Sequence, residues 1–80
     1  MSADEFFKLI VAHRNREPFQ PFLVELVDGQ IIEFDRPKSL AVRGGFASGF
    51  ARGKQIVRLE SQNVKRIIDA PVSAVKSQEA

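Results

Sequence analysis

The stretch EPFQPFLVELVDGQIIEFDR, residues 17–36, contains two β-rich runs joined by Asp28-Gly29. Asp-Gly between alternating apolar residues predicts a β-hairpin, and the length of its loop decides which side chains share a face. A two-residue loop would place Glu33 and Asp35 on the same side as the phenylalanine of the first strand, where buried carboxylates are costly. We therefore predict a three-residue loop that ends at Gly29, with Gly29 in the left-handed conformation.

This register sorts the side chains of the hairpin into two faces. One face is wholly apolar and is the predicted core side, formed by Phe22, Val24, Leu26, Ile32 and Phe34. The other face mixes apolar and acidic side chains and is at best half covered. It is the predicted protein-interaction surface, with Leu23, Glu25, Val27, Ile31 and Glu33 as its residues.

The N-terminal segment predicts a helix over residues 3–15. Ser2 can cap it and Glu5 stands three positions later, as in a capping box. Apolar residues recur at helical spacing through the segment, so one side of the helix should cover the sheet. Pro18 ends the helical pattern.

The rest of the chain reads as short alternating runs at residues 40–43, 46–51, 55–60 and 64–69. Together with the hairpin they predict an α+β, mainly β fold. We expect an N-terminal helix packed on a small, bent antiparallel meander of about five strands within residues 22–69. Residues 1–70 form the expected single domain, and residues 71–80 the expected flexible C-terminal tail.

Composition excludes several classes of protein. The 80-residue chain has no cysteine, so disulfides and thiolate metal sites are excluded, and no cofactor or metal is expected. The N-terminus has acids where a signal peptide needs bases, and no apolar run approaches the roughly 20 residues that span a bilayer. We expect a cytoplasmic protein that does not enter the membrane.

Two segments, PFQPFLVELVDGQIIEFDRP at residues 18–37 and VRLESQNVKRI at residues 57–67, carry a resemblance. The chain resembles a group of small uncharacterised bacterial proteins that share a PFxPF entry, a strand, Asp-Gly, a strand and a proline. At the level of the fold it is also similar to Sm-like and other SH3-like small barrels. The resemblance implies a bacterial, cytosolic protein with a partly open barrel and no catalytic signature.

Charge is segregated along the chain: residues 1–35 sum to −4 and residues 36–66 to +7, within a total of +2. Inside the basic part, RGGFASGFARGK at residues 43–54 interleaves arginines with two phenylalanines. The interpretation that we favour buries both rings in the core and leaves the arginines in solvent. The alternative is a single-stranded nucleic-acid surface, where cations meet phosphates and rings meet bases. Its candidate residues are Arg43, Phe46, Phe50, Arg52, Lys54, Lys65 and Arg66.

Catalytic chemistry has little support. His13 is the only histidine, and its place beside an apolar helical stripe is typical of a packing residue. The glycines match no phosphate-binding loop. We therefore expect no enzyme and no small-molecule substrate. The predicted function is a non-enzymatic interaction module that self-associates or binds a protein partner through a sheet edge or outer face; the alternative is a small barrel that binds single-stranded RNA or DNA.

Overall fold

The computed structural model describes residues 1–36, 39–53 and 55–70. The described chain contains one α-helix, six β-strands and one short 3-10 helix: α1 (Ala3–Arg14), β1 (Phe22–Leu26), β2 (Ile31–Phe34), β3 (Leu40–Arg43), β4 (Phe46–Ala51), β5 (Gln55–Glu60), the 3-10 helix (Ser61–Asn63) and β6 (Val64–Asp69). The strands form two antiparallel sheets, so the α+β, mainly β class is confirmed. The described chain has six strands, one for each of the β-rich runs of the sequence, where about five were expected. The predicted tail, residues 71–80, lies outside the described residues.

Helix α1 begins as the sequence predicts. The Ser2 hydroxyl accepts a hydrogen bond of 3.1 Å from the Glu5 backbone N–H, which satisfies one of the open donors of the first turn. Phe6 and Ile10 are fully buried and fix the face that packs on the sheets. Near the other end, the Arg14 guanidinium donates to the Leu40 carbonyl at 3.2 Å, which ties the helix to β3. Within the described parts of the chain, no helix has the length and apolar character needed to cross a membrane.

Sheet 1 has the strand order β2-β1-β6, and its hairpin has the predicted register. Phe22 pairs with Phe34, both side chains are buried, and their ring centroids are 5.5 Å apart. The Leu26 N–H donates to the Gln30 carbonyl at 2.8 Å, which closes a three-residue loop. Gly29 has φ +95°, the left-handed conformation that such a loop requires. The predicted loop and core face are therefore confirmed.

Sheet 2 has the strand order β3-β4-β5. Its inner side contributes Leu40, Ala47, Ala51 and Leu59 to the same buried cluster as sheet 1 and the helix. Gly49 lies so close to β3 that an added Cβ would overlap the backbone there. The inner side of β4 therefore accepts only small residues.

One residue links the two sheets directly. The Arg52 N–H, just after β4, donates to the Glu33 carbonyl at 2.8 Å. The Arg52 guanidinium also contacts the Glu33 carboxylate at 3.1 Å. A main-chain hydrogen bond and an ion pair thus join the second strand of sheet 1 to the end of β4.

Candidate interaction surfaces

Strand β4 presents its phenylalanines to solvent. Phe46 and Phe50 are 56% and 51% exposed, while Ala47 and Ala51, in the alternate positions, are buried. The favoured interpretation that both rings belong to the core is therefore wrong. The reason is the close approach of β3 at Gly49, which leaves room on the inner side for alanine and glycine but not for a ring.

The cross-strand neighbours of β4 complete what we call the outer face of sheet 2. The pairing sets these side chains in three rows across the strands, since residues directly opposite each other share a face. The rows are Arg43, Phe46 and Glu60; Ala41, Ser48 and Arg58; and Phe50 with Ile56. Ile56 is 70% exposed. A shallow groove of about 640 Å³ runs along the first two rows.

Charged groups stand at the edges of this face. Arg43 on β3 and Glu60 on β5 flank Phe46, and two strand spacings separate their backbones by about 10 Å. No ion pair within the described chain joins them. The Glu60 carboxylate accepts a hydrogen bond of 3.4 Å from the Asn63 side-chain amide. Arg43 and Glu60 can therefore engage charges outside their own copy.

The predicted protein-interaction surface lies on the outer side of sheet 1. Leu23, Glu25, Ile31 and Glu33 share that side, and Val27 follows it in the turn. Ile31 and Val27 are more than half exposed. The carboxylates are engaged within the chain, because Glu25 pairs with Arg66 at 2.9 Å and with Lys65 at 3.9 Å, and Glu33 pairs with Arg52.

The described residues that were predicted to bind nucleic acid are distributed over both sheets. Arg43, Phe46 and Phe50 lie together on the outer face of sheet 2. Arg52 lies in the turn after β4, and Lys65 and Arg66 lie on β6 in sheet 1, each of the three near a carboxylate. Lys54 lies outside the described residues. The sequence interpretation missed Ile56, Arg58 and Glu60, although their alternation in residues 55–60 indicated one common face.

The only histidine has a packing role. The His13 ring lies 5.2 Å from the Phe22 ring, and its Nδ1 is 2.8 Å from the Leu9 carbonyl oxygen. Its Nε2 is 3.5 Å from the Asp69 carboxylate. Arg16 binds the same carboxylate at 2.6 Å, and this hydrogen bond holds the pKa of Asp69 below its ordinary value of 3.8. In the described residues, no group of three or more His, Cys, Asp or Glu side chains is placed to hold a metal ion.

Exposed apolar side chains occur on both sheets. Of the seven large ones that are exposed in the described chain, Phe46, Phe50 and Ile56 lie on the outer face of sheet 2, Val27, Ile31 and Ile68 lie on the outer side of sheet 1 and its turn, and Phe7 lies on the helix. No protein-family model matches the chain, and the searches of curated proteins and of solved structures find no match. We therefore argue function from the chemistry of these surfaces.

Proposed function

We propose that this chain is a non-enzymatic interaction module that associates with a second copy of itself through the outer face of sheet 2. The observation that supports the proposal is the joint exposure of Phe46, Phe50 and Ile56 on one face. The largest apolar patch of a small domain, typically about 300–600 Å², is often a binding site.

The size of the patch favours a weak dimer. Exposures of 51–70% correspond to about 300 Å² of apolar surface per copy, because a buried aromatic side chain covers about 150–250 Å². Burial of two such patches contributes at most about 15 kcal/mol at about 25 cal/mol per Å². Loss of rigid-body freedom on association costs about 4–15 kcal/mol. The difference, about 0–11 kcal/mol, includes the roughly 8 kcal/mol that corresponds to a micromolar dissociation constant, which is the range that we expect.

Sedimentation velocity at increasing protein concentration tests the association. We expect a monomer–dimer equilibrium between about 5 μM and about 500 μM, the range in which a weak dimer forms. Phe50→Ser should weaken it at least about tenfold, because it removes a central apolar contact. Phe7→Ser, the same change at an exposed phenylalanine of the helix, is the matched control and should leave it unchanged. A strictly monomeric wild-type protein at the highest concentration removes the proposal.

The surface predicted on sheet 1 stays a second protein-interaction route. Val27, Ile31 and Ile68 supply exposed apolar area there. The engagement of Glu25 and Glu33 with bases of the same chain leaves fewer free charges to orient a partner. If Ile31→Ser weakens association and Phe50→Ser does not, the interface lies on sheet 1.

For the fold, we propose that the two sheets form a small, partly open barrel of the SH3-like or Sm-like kind. The six described strands form two antiparallel three-stranded sheets around one buried cluster, which supports such a barrel. The hydrogen bond from Arg52 to Glu33 supports closure between the sheets on one side. A bacterial source and a cytoplasmic location stay predictions.

A single-stranded nucleic acid is the second candidate partner. Its support is that the exposed Phe46 and Phe50 share a face with Arg43 and Arg58, so rings and cations alternate. Bases stack on aromatic rings and phosphates pair with arginines, which gives binding that weakens as salt rises.

Fluorescence anisotropy with a labelled single-stranded oligonucleotide tests this candidate. If it is correct, the wild-type protein binds at low salt, and Arg43→Ala with Arg58→Ala reduces both the affinity and its salt dependence. Lys8→Ala, on the exposed side of the helix, is the control and should have little effect. Absence of binding at low salt removes the candidate.

A further inference from the structure

We infer that the self-association proposed above has one particular geometry: two copies pack the outer faces of sheet 2 together about a two-fold axis parallel to β4, so that Arg43 of each copy meets Glu60 of the partner subunit. This inference rests on the proposed function and adds the orientation and the charge pairs. It follows from the order of residues in the rows of the face.

A dimer with two-fold symmetry uses the same patch on both copies. Two faces of a sheet can meet in this way with the axis either along the strands or across them. An axis along β4 keeps each row opposite itself and reverses its order, so the β3 side of one copy meets the β5 side of the other. An axis across the strands exchanges the first row with the third.

The two orientations differ in where the charges go. With the axis along β4, Arg43 lies opposite Glu60 of the partner subunit, and Phe46 lies opposite its own counterpart. In the same orientation, Arg58 lies opposite Ala41 of the partner subunit. With the axis across the strands, Glu60 lies opposite Ile56 of the partner subunit, and Arg58 lies opposite Arg58 of the partner subunit. That arrangement leaves Glu60 without a charge partner and sets two like charges face to face. The axis along β4 is therefore the favoured one.

The charges of one copy are suited to this pairing. Phe46 separates Arg43 from Glu60 within a copy, and no ion pair joins them in the described chain. In the dimer, two Arg43–Glu60 pairs flank the two Phe46 rings. Ala41 and Ser48 are small, and the groove above them leaves room for the rings to lie offset, as aromatic pairs prefer. Packed sheets cross at about 30°, so the two-fold axis lies within about 15° of β4.

The interface is small, so charge has its main effect on orientation. A patch of about 300 Å² per copy is well below the roughly 800 Å² per partner of a standard stable complex. In such contacts, complementary charges select one arrangement and exclude others. Reversal of one charge should therefore weaken dimerisation, and reversal of both should restore it.

Charge exchange tests the pairing. Arg43→Glu and Glu60→Arg should each weaken dimerisation about three- to tenfold in sedimentation at low salt, because each creates like-charge contacts. The double variant should return to within about threefold of wild type, since the pairs are restored in reverse. Circular dichroism checks that each variant is folded. If the double variant is as weak as the worse single variant, the pairing is wrong even when the wild type dimerises.

Single cysteines test the orientation in a chain that has none of its own. Ser48 is in the middle row on the central strand and lies near the two-fold axis in both orientations. Packed sheets lie about 10 Å apart, which is beyond the reach of a direct disulfide, so a short bis-maleimide reagent supplies the cross-link. Ser48→Cys should therefore cross-link to its counterpart whenever these faces meet. Ala41→Cys faces its own counterpart only when the axis runs across the strands, so it should cross-link little. A dimer in which Ala41→Cys cross-links as fast as Ser48→Cys overturns the inferred axis.

The outcomes separate this inference from the proposed function. A monomeric wild type, with no cross-link through Ser48→Cys, overturns both. A wild-type dimer with an unrestored charge exchange overturns only the geometry. If Glu60→Arg leaves self-association unchanged and raises the affinity for a single-stranded oligonucleotide, the Arg43–Glu60 pairing is overturned and the face is assigned to nucleic acid.

Discussion

Replacement of Gly29 by alanine tests the turn that sets the register of the β1–β2 hairpin. Gly29 has φ +95°, and its N–H donates to the Leu26 carbonyl at 3.0 Å. A Cβ added at Gly29 would meet no atom within 4 Å. The cost of L-alanine is therefore conformational alone, about 1–2 kcal/mol for a left-handed backbone. D-alanine prefers this conformation and restricts the unfolded chain, so we expect unchanged stability or a gain of up to about 1 kcal/mol.

Chemical synthesis can supply both variants of an 80-residue chain, and urea denaturation followed by circular dichroism gives their free energies of unfolding. A domain of this size has a total stability of about 4–12 kcal/mol, so the expected difference is readily measured. The melting temperature of the L-alanine protein should fall by about 4–8 °C for each kcal/mol lost. The reasoning is refuted if L- and D-alanine at Gly29 lower stability equally, or if L-alanine costs less than about 0.3 kcal/mol.

Three further predictions concern stability. Gly49→Ala should lower the free energy of unfolding by about 1–3 kcal/mol or more, because its Cβ overlaps the backbone at the start of β3. Ser48→Ala, next to it on the exposed side, is the control and should change the free energy of unfolding by no more than about 0.5 kcal/mol. Equal losses in the two variants would contradict the close approach. Phe34→Ala should cost about 3–5 kcal/mol because the ring is fully buried, and a native-like dispersed NMR spectrum with unchanged stability would contradict this. The hydrogen bond from Arg16 lowers the pKa of Asp69 in the folded state, so its stabilisation is complete above pH 3.8 and is lost as the pH falls through the lower folded-state pKa. Asp69→Asn should therefore be less stable than wild type in urea at neutral pH and equal to it in strong acid; a difference that persists in acid would show that charge is not the cause.

The helix start and the first hairpin could be predicted because each depends on residues close together in the chain. The capping of Glu5 by Ser2 is a contact over three positions. The hairpin register followed from the cost of burying Glu33 and from the glycine that a three-residue loop needs at residue 29. In both cases local geometry and the pattern of apolar residues agree, which is the condition under which sequence reasoning is reliable.

The orientation of β4 could not be predicted in the same way. Along β4, Phe46 and Phe50 alternate with the small residues Ala47, Gly49 and Ala51. Burial of the larger apolar side chains is the usual expectation. The outcome is reversed because β3 approaches at Gly49, a contact made in space between different strands. The small residues Ala47 and Ala51 were the available signal. The candidate site was missed for the same reason, since it is built around Phe46 and Phe50, which point outward.

Arg52 contacts Glu33 through both a main-chain hydrogen bond and an ion pair. The amide proton of Arg52 therefore reports on the contact between the two sheets. This N–H is bonded neither within sheet 1 nor within sheet 2 but from one to the other. Exchange of this proton with deuterated solvent requires the two sheets to separate at Arg52. Amide protons within one sheet exchange when the hydrogen bonds of that sheet open. A protection factor at residue 52 equal to those of the central strands would mean that the sheets separate only on global unfolding. A lower value would measure how often this contact opens while both sheets stay intact.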